Sequence, residues 1–204
     1  MVLVTWYGHA AFRIESSDTT FLIDPFISGN PMAPISVRDI KDVDIILVTH
    51  GHNDHIGDTI EIANNTGAKV IAIHEIAVFL SKFGIDTMGM NYGGPIKINN
   101  SKIYMVPALH SSTFLDDRGQ LISLGTAAGF IIKTDDRTIY HAGDTGLFYD
   151  MKLFPEIYGK IDLALLPIGG RYVMDIYQAK KAAEFIKPKN IIPMHYNTCS
   201  LPLS

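Results

Sequence analysis

The sequence predicts an α/β fold in which two β-sheets are covered by helices on the outside. Three observations lead there. Apolar strand-like runs alternate with segments of helical periodicity, as they do where helices pack on sheets. Other strands follow one another across short polar turns, a connection that antiparallel pairing permits and parallel pairing does not. Two runs, residues 44–48 and 161–166, are nearly continuous in apolar residues and suit buried strands.

Taken in order, residues 2–7 and 11–15 read as short strands around Gly8-His9-Ala10. Residues 20–23 form a third, ending at Asp24-Pro25 because proline cannot extend the ladder. A loop rich in Pro, Gly and Ser runs from 26 to 36. Strand 44–48 feeds the run Thr49-His50-Gly51-His52-Asn53-Asp54-His55. A helix is expected over 56–64, a strand over 69–73, and a helix over 75–83 stopped by Gly84. Further strands are expected at 102–106, 128–134 and 138–141, the last two joined by a turn at Asp135-Asp136. Strand 161–166 is ended by Pro167 and Gly169-Gly170. Asp175 caps a helix, with Gln178 placed as in a capping box. Ile176, Ala179, Ala183 and Ile186 would line its buried face, and Pro188 ends it. A last strand at 191–193 delivers His195.

Composition bounds the function. The 204 residues, 47% of them apolar, can bury a sizeable core, and residues 1–204 are read as a single domain. Net charge is −4 and the lysines are scattered, so no basic stripe for nucleic acid is legible. Lys180-Lys181 belongs to the solvated face of the last helix. No apolar stretch reaches membrane-spanning length, and no signal-peptide pattern opens the chain. The single Cys199 cannot form an internal disulfide. A cytoplasmic protein acting on a small molecule is expected, with homo-oligomerisation left open.

The chemistry concentrates in His50, His52, Asp54 and His55, which emerge together at the end of a buried strand. Neutral imidazole and carboxylate are donors that zinc prefers, although manganese, iron, cobalt and nickel also accept them. Three later segments repeat one grammar of strand, metal-competent side chain and turn: Pro107 to Ser112 with His110, Tyr140 to Gly146 with Asp144, and Pro193 to Asn197 with His195. Each is weak alone. Together they complete a two-ion site, with His50, His52 and His110 on one ion and Asp54, His55 and His195 on the other. Asp144, with two oxygens, can bridge them. Such a pair supplies a shared hydroxide near neutral pH. Asp54, His55 and Asp144 are the expected catalytic residues, with Asp54 both ligand and proton acceptor.

The order His-x-His-x-Asp-His, His, Gly-Asp, His resembles the metallo-β-lactamase superfamily, and in particular its uncharacterised metal-dependent hydrolases related to the L-ascorbate-6-phosphate lactonases. The likeness extends to Trp6-Tyr7-Gly8-His9-Ala10, Ile23-Asp24-Pro25-Phe26, Gly29-Asn30-Pro31 and Pro167-Ile168-Gly169-Gly170. It implies an αββα four-layer sandwich with a dinuclear site at one edge between the sheets. It does not imply β-lactam hydrolysis, since one fold hosts many reactions. Relatives are expected to continue further beyond His195 than this chain does.

Other residues are assigned more plainly. His9 and Asp24 are read either as partners that orient ligands or as merely structural residues, and a structural role is favoured for His141. His74 is read as ordinary. Tyr196 is read as packing or as a donor to a developing oxyanion, Arg171 as an anion contact or a solvated charge. Residues 115–125 are read as the first place for substrate contacts or, equally, as a plain surface loop. The leading function is a metal-dependent hydrolase acting on a lactone or phosphoester of a small metabolite. Rivals are a phosphodiesterase or nuclease on the same scaffold, a di-iron redox protein, and a non-catalytic binding domain stabilised by metal. The resemblance disfavours the di-iron rival, whose relatives carry Glu where this chain has His52.

Overall fold

Apolar runs become strands where the sequence places them. A computed structural model, which describes residues 1–198, arranges them in two six-stranded sheets; Cys199 lies outside the described residues. The first sheet holds β1 (Leu3–Trp6), β2 (Phe12–Glu15), β3 (Thr20–Ile23), β4 (Ile45–Val48), β5 (Lys69–Ile73) and β6 (Thr87–Met90), in that spatial order. β1 to β3 are antiparallel, and β3 to β6 run parallel. β7 (Ile96–Ile98) and β8 (Ser101–Pro107) begin the second sheet, while β9 (Thr113–Leu115) and β10 (Leu121–Ser123) form a separate ribbon. β11 (Ala128–Lys133), β12 (Thr138–His141), β13 (Leu163–Pro167) and β14 (Asn190–Met194) complete that sheet in the order β14-β13-β12-β11-β8-β7. The helices are α1 (Asn53–Ile56), α2 (Thr59–Thr66), α3 (His74–Ser81), α4 (Phe154–Tyr158) and α5 (Ile176–Ile186). α2 and α3 pack on the first sheet and α5 on the second, giving an αββα sandwich.

The apolar content of each strand tracks its place. β4 and β12 are buried at every position, as strands inside a covered sheet must be. One apolar core joins both sheets and includes Phe12, Phe21 and Phe130, all with no exposed surface. Each such ring contributes about 1.5–3 kcal/mol through burial. The Phe12 ring lies 5.7 Å from the His141 ring, linking β2 to β12 across the interface.

Three expectations change. The helix expected over 56–64 is two: α1 begins at Asn53, three residues earlier, and Gly57 (φ 46°) breaks it before α2. Asp54 and His55 are therefore presented from a helical turn. The buried stripe of α5 is Ala179, Ala182 and Ile186, while Ile176 is 68% exposed because it opens the helix at the surface. Its Asp175 cap accepts the Gln178 N–H at 2.8 Å as expected. Strands β6, β7, β9 and β10 and helix α4 were not legible in the sequence; each spans five residues or fewer, too short for periodicity to show.

This topology fixes where function can sit. β3, β4, β12, β13 and β14 all end at one rim, and the carboxyl ends of parallel strands are where α/β sheets gather polar side chains.

Candidate metal centre

Segments of both sheets deliver side chains to that rim. The turn between β1 and β2 gives His9, β3 gives Asp24, and β4 gives Thr49 and His50. His52 precedes α1, which carries Asp54 and His55; His110 follows β8, Asp144 follows β12 and His195 follows β14. The structure thus brings together all seven residues singled out as ligands.

They converge in groups. His50 Nε2 lies 3.0 Å from His52 Nδ1, which lies 3.2 Å from His110 Nε2. On the other side, potential ligand atoms of His9, Asp54, His55 and His195 lie within 4.8 Å of one another. Asp144 stands between the groups: Oδ1 is 3.3 Å from His55 Nε2, and Oδ2 is 3.0 Å from His195 Nε2 and 3.6 Å from His110 Nε2. His9 Nε2, His55 Nε2 and Asp144 Oδ1 are buried and make no hydrogen bond among the described residues. Such an orphan costs about 1–3 kcal/mol, a deficit that a cation between the donors removes. Converging imidazoles with a carboxylate between them fit divalent ions.

Neighbouring groups hold these side chains in place. Buried Asp24 accepts from Thr49 N at 2.8 Å and Thr49 Oγ1 at 2.7 Å. It also faces His55 Nδ1 at 2.8 Å, which turns His55 Nε2 toward Asp144. His141 is structural as expected: Nδ1 accepts from Gly143 N at 3.1 Å, so Nε2 carries the proton donated to Ala10 O at 2.9 Å. Gly143 has φ 60°, and a Cβ there would lie 2.5 Å from Ala128 O. At Gly169 the space is tighter still, with an added Cβ 2.2 Å from the His195 carbonyl oxygen.

The electrostatics follow the same geometry. Burial holds the His50 pKa well below the usual imidazole range and lowers those of His52 and His110. Burial also depresses His55, but the Asp144 and Asp24 carboxylates outweigh it and raise its pKa. For Asp54 and Asp144 burial acts upward; contact with His9 and His55 overcomes it for Asp54, and His55 and His195 overcome it for Asp144, so both stay ionised.

A cavity of about 320 Å³ opens on this cluster. His52, Asp54, His110, Asp144 and His195 line it, joined by Ser111 and Tyr172. Fully buried His50 and His55 do not reach it. Tyr172 was not singled out from sequence; its only signal there is an aromatic residue shortly after Gly169-Gly170. Residues 115–125 do not line the cavity. They belong to the β9–β10 ribbon, pinned to Asn53 by hydrogen bonds with the Leu115 backbone at 3.0 and 3.1 Å. Arg171 is exposed and lies over the Tyr172 ring at 5.0 Å. Tyr196 stacks on Trp6 at 5.8 Å, and His74 is exposed at the start of α3.

A His/Asp cluster at the shared rim of an αββα sandwich defines the metallo-β-lactamase fold class. Residues 3–195 match the β-lactamase superfamily domain. A UPF0173 metal-dependent hydrolase of Pyrococcus furiosus is 54% identical over 200 residues, covering 97% of this chain and 86% of that protein. One from Archaeoglobus fulgidus is 50% identical over 198 residues, covering 97% and 84%. The structure of Igni18, a metallo hydrolase from Ignicoccus hospitalis, superposes with a TM-score of 0.86 at 42% identity, covering 97% of this chain and 84% of that one. The chain belongs to the UPF0173 metal-dependent hydrolases of the β-lactamase superfamily. Among the described residues, no helix is long and apolar enough to cross a membrane.

Proposed function

We propose that the protein is a hydrolase that holds two divalent ions, zinc by preference, and cleaves a small lactone or phosphoester-type metabolite. His50, His52 and His110 would hold one ion, Asp54, His55 and His195 the other, with Asp144 between them. When bound, the ions supply a hydroxide at neutral pH and stabilise negative charge on the substrate oxygen. The observation that carries the reading is the cavity: five of the seven proposed ligands face it, and its volume of about 320 Å³ suits a small molecule. A site that only stabilised the fold would have no need of such an opening.

The chain's own groups divide the remaining work. Asp54 faces the cavity with its side chain 41% exposed and is ionised at neutral pH, as a proton acceptor must be. Fully buried His55 does not reach the cavity, and its Nε2, 3.3 Å from Asp144 Oδ1, would serve to hold an ion. The Ser111 hydroxyl, 3.3 Å from His52 Nε2, and the Tyr172 ring are the cavity-lining groups not assigned to metal. A net charge of −4 suits a small substrate better than a polyanion, and a cytoplasmic location accords with this reading.

Metal analysis of protein purified without added metal, alongside a lactone and phosphodiester panel, tests the proposal. Near two zinc ions per chain with chelator-sensitive turnover is expected. Full activity in His52→Ala or Asp144→Asn, once metal content is checked, would sink it.

A further inference from the structure

The His/Asp cluster contains one imidazole beyond the seven residues just assigned. His9 is 2% exposed, and its Nε2 lies 3.2 Å from Asp54 Oδ2 without making a hydrogen bond. We propose that His9 is a direct ligand of the second ion, beside Asp54, His55 and His195; the inference rests on the two-ion reading above.

Its surroundings repeat those of the other buried imidazoles. His50 Nδ1 faces Thr49 Oγ1 at 3.0 Å, and His55 Nδ1 faces Asp24 Oδ2 at 2.8 Å. His9 Nδ1 faces Thr198 Oγ1 at 2.5 Å. In each ring the outer nitrogen is held by an oxygen while Nε2 turns into the cluster, the arrangement that metal-binding histidines use to fix their tautomer. If His9 merely bonded Asp54, its Nε2–H would have to point along that contact, and the geometry does not align it.

The backbone is built to the same end. His9 and His195 adopt left-handed conformations, with φ of 52° and 54°, a region uncommon outside glycine although histidine enters it more often than most residues. The His195 N–H donates to His9 O at 3.1 Å, and the two rings lie 4.0 Å apart. A turn that needed only a corner would be made more easily by glycine.

His9 makes the two ions unequal. The second has donors from His9, Asp54, His55 and His195 with a part of Asp144, whereas the first has three imidazoles and the other part. Ligands of both proposed ions line the cavity, His52 and His110 of the first and Asp54 and His195 of the second, while His9 does not. With one donor more, the second ion would be the more tightly held.

Cobalt(II) titration in competition with a chelator tests this, read by visible ligand-field absorption and by affinity at each site. Wild-type protein should bind two ions, one much more tightly. In His9→Ala the tight site should weaken more than about 100-fold, beyond the usual cost of losing an orienting partner, and its absorption should change while the other site is unaffected. X-ray absorption on the zinc form should show one imidazole fewer. Two ions in wild type with unchanged affinity and spectrum in His9→Ala would overturn the proposal alone. A single ion in wild type would overturn the two-ion reading and this inference with it. Should His9→Ala fail to fold without metal, Thr198→Val releases only the Nδ1 anchor. A loss of about 10–100-fold at the tight site is then expected, and none would refute the role.

Discussion

Asp24→Asn tests how much of the centre depends on a residue that holds no ion. The carboxylate has no exposed surface; Oδ1 accepts from Thr49 N, while Oδ2 accepts from Thr49 Oγ1 and holds His55 Nδ1. An amide has one acceptor where three donors converge. If its oxygen stays on Thr49 N, its NH₂ faces His55 Nδ1, which must then become the acceptor. The ring proton moves to Nε2, the atom 3.3 Å from Asp144 Oδ1 that is needed for metal. If the amide flips, NH₂ meets the Thr49 N–H and that bond is lost. Either way a hydrogen bond to a charged group disappears, costing about 1.5–3 kcal/mol of stability. Loss of an orienting partner costs about 10–100-fold in metal affinity, or about 1.4–2.8 kcal/mol. Urea unfolding of the metal-free protein measures the first quantity and chelator competition the second. Wild-type values for both in Asp24→Asn would refute the argument that Asp24 sets the His55 tautomer.

Three further outcomes are expected. Gly169→Ala places a methyl 2.2 Å from the His195 carbonyl oxygen; displacement of β14's end should cost at least about 1–3 kcal/mol and reduce metal retention, and a variant with wild-type Tm and metal content would contradict it. Tyr172→Ala should raise KM about tenfold for any substrate found, with kcat nearly unchanged, as when binding shared by ground and transition states is removed; a fall in kcat alone would assign Tyr172 a chemical role instead. Burial lowers the His141 pKa below its ordinary 6.5, so the unfolded chain takes up that proton first. Its contribution is fully present above about pH 6.5 and is lost as pH falls from there toward the depressed value. In that window metal-free wild type should lose stability more steeply than His141→Gln, by up to about 1.4 kcal/mol per pH unit; equal slopes in paired urea titrations would show that His141 is not buried neutral.

What could be read from the sequence depended on how local the determining physics was. Residues 20–23, 69–73 and 138–141 carry enough consecutive apolar or β-branched side chains that their strand bounds were legible to the residue. β7 and the β9–β10 ribbon have three residues per strand, too few for alternation to show, and each pairs only with the next strand across a short turn. On α5 the expected face shifted because Ile176 occupies the first turn, where exposure is set by the approach of the preceding loop. Periodicity carries no information about that approach. Tyr172 escaped for a similar reason: it reaches the cavity because Gly170 and Met174 are bonded backbone to backbone at 3.0 Å, folding the loop at the rim.

The candidate site was more legible than the fold because metal chemistry restricts residue type before geometry is known. Few structural needs would place His50, His52, Asp54 and His55 within six positions, and the strand before them fixes one point in space from which a two-ion site must be completed. His110, Asp144 and His195 then had to come from other strand ends, and the parallel run of β12, β13 and β14 brings the last two to the same rim. His9 obeyed no such count. The seven residues already satisfied two ions on paper, so its assignment had to wait for an orphaned nitrogen and an anchored ring, features that exist only once the chain is folded.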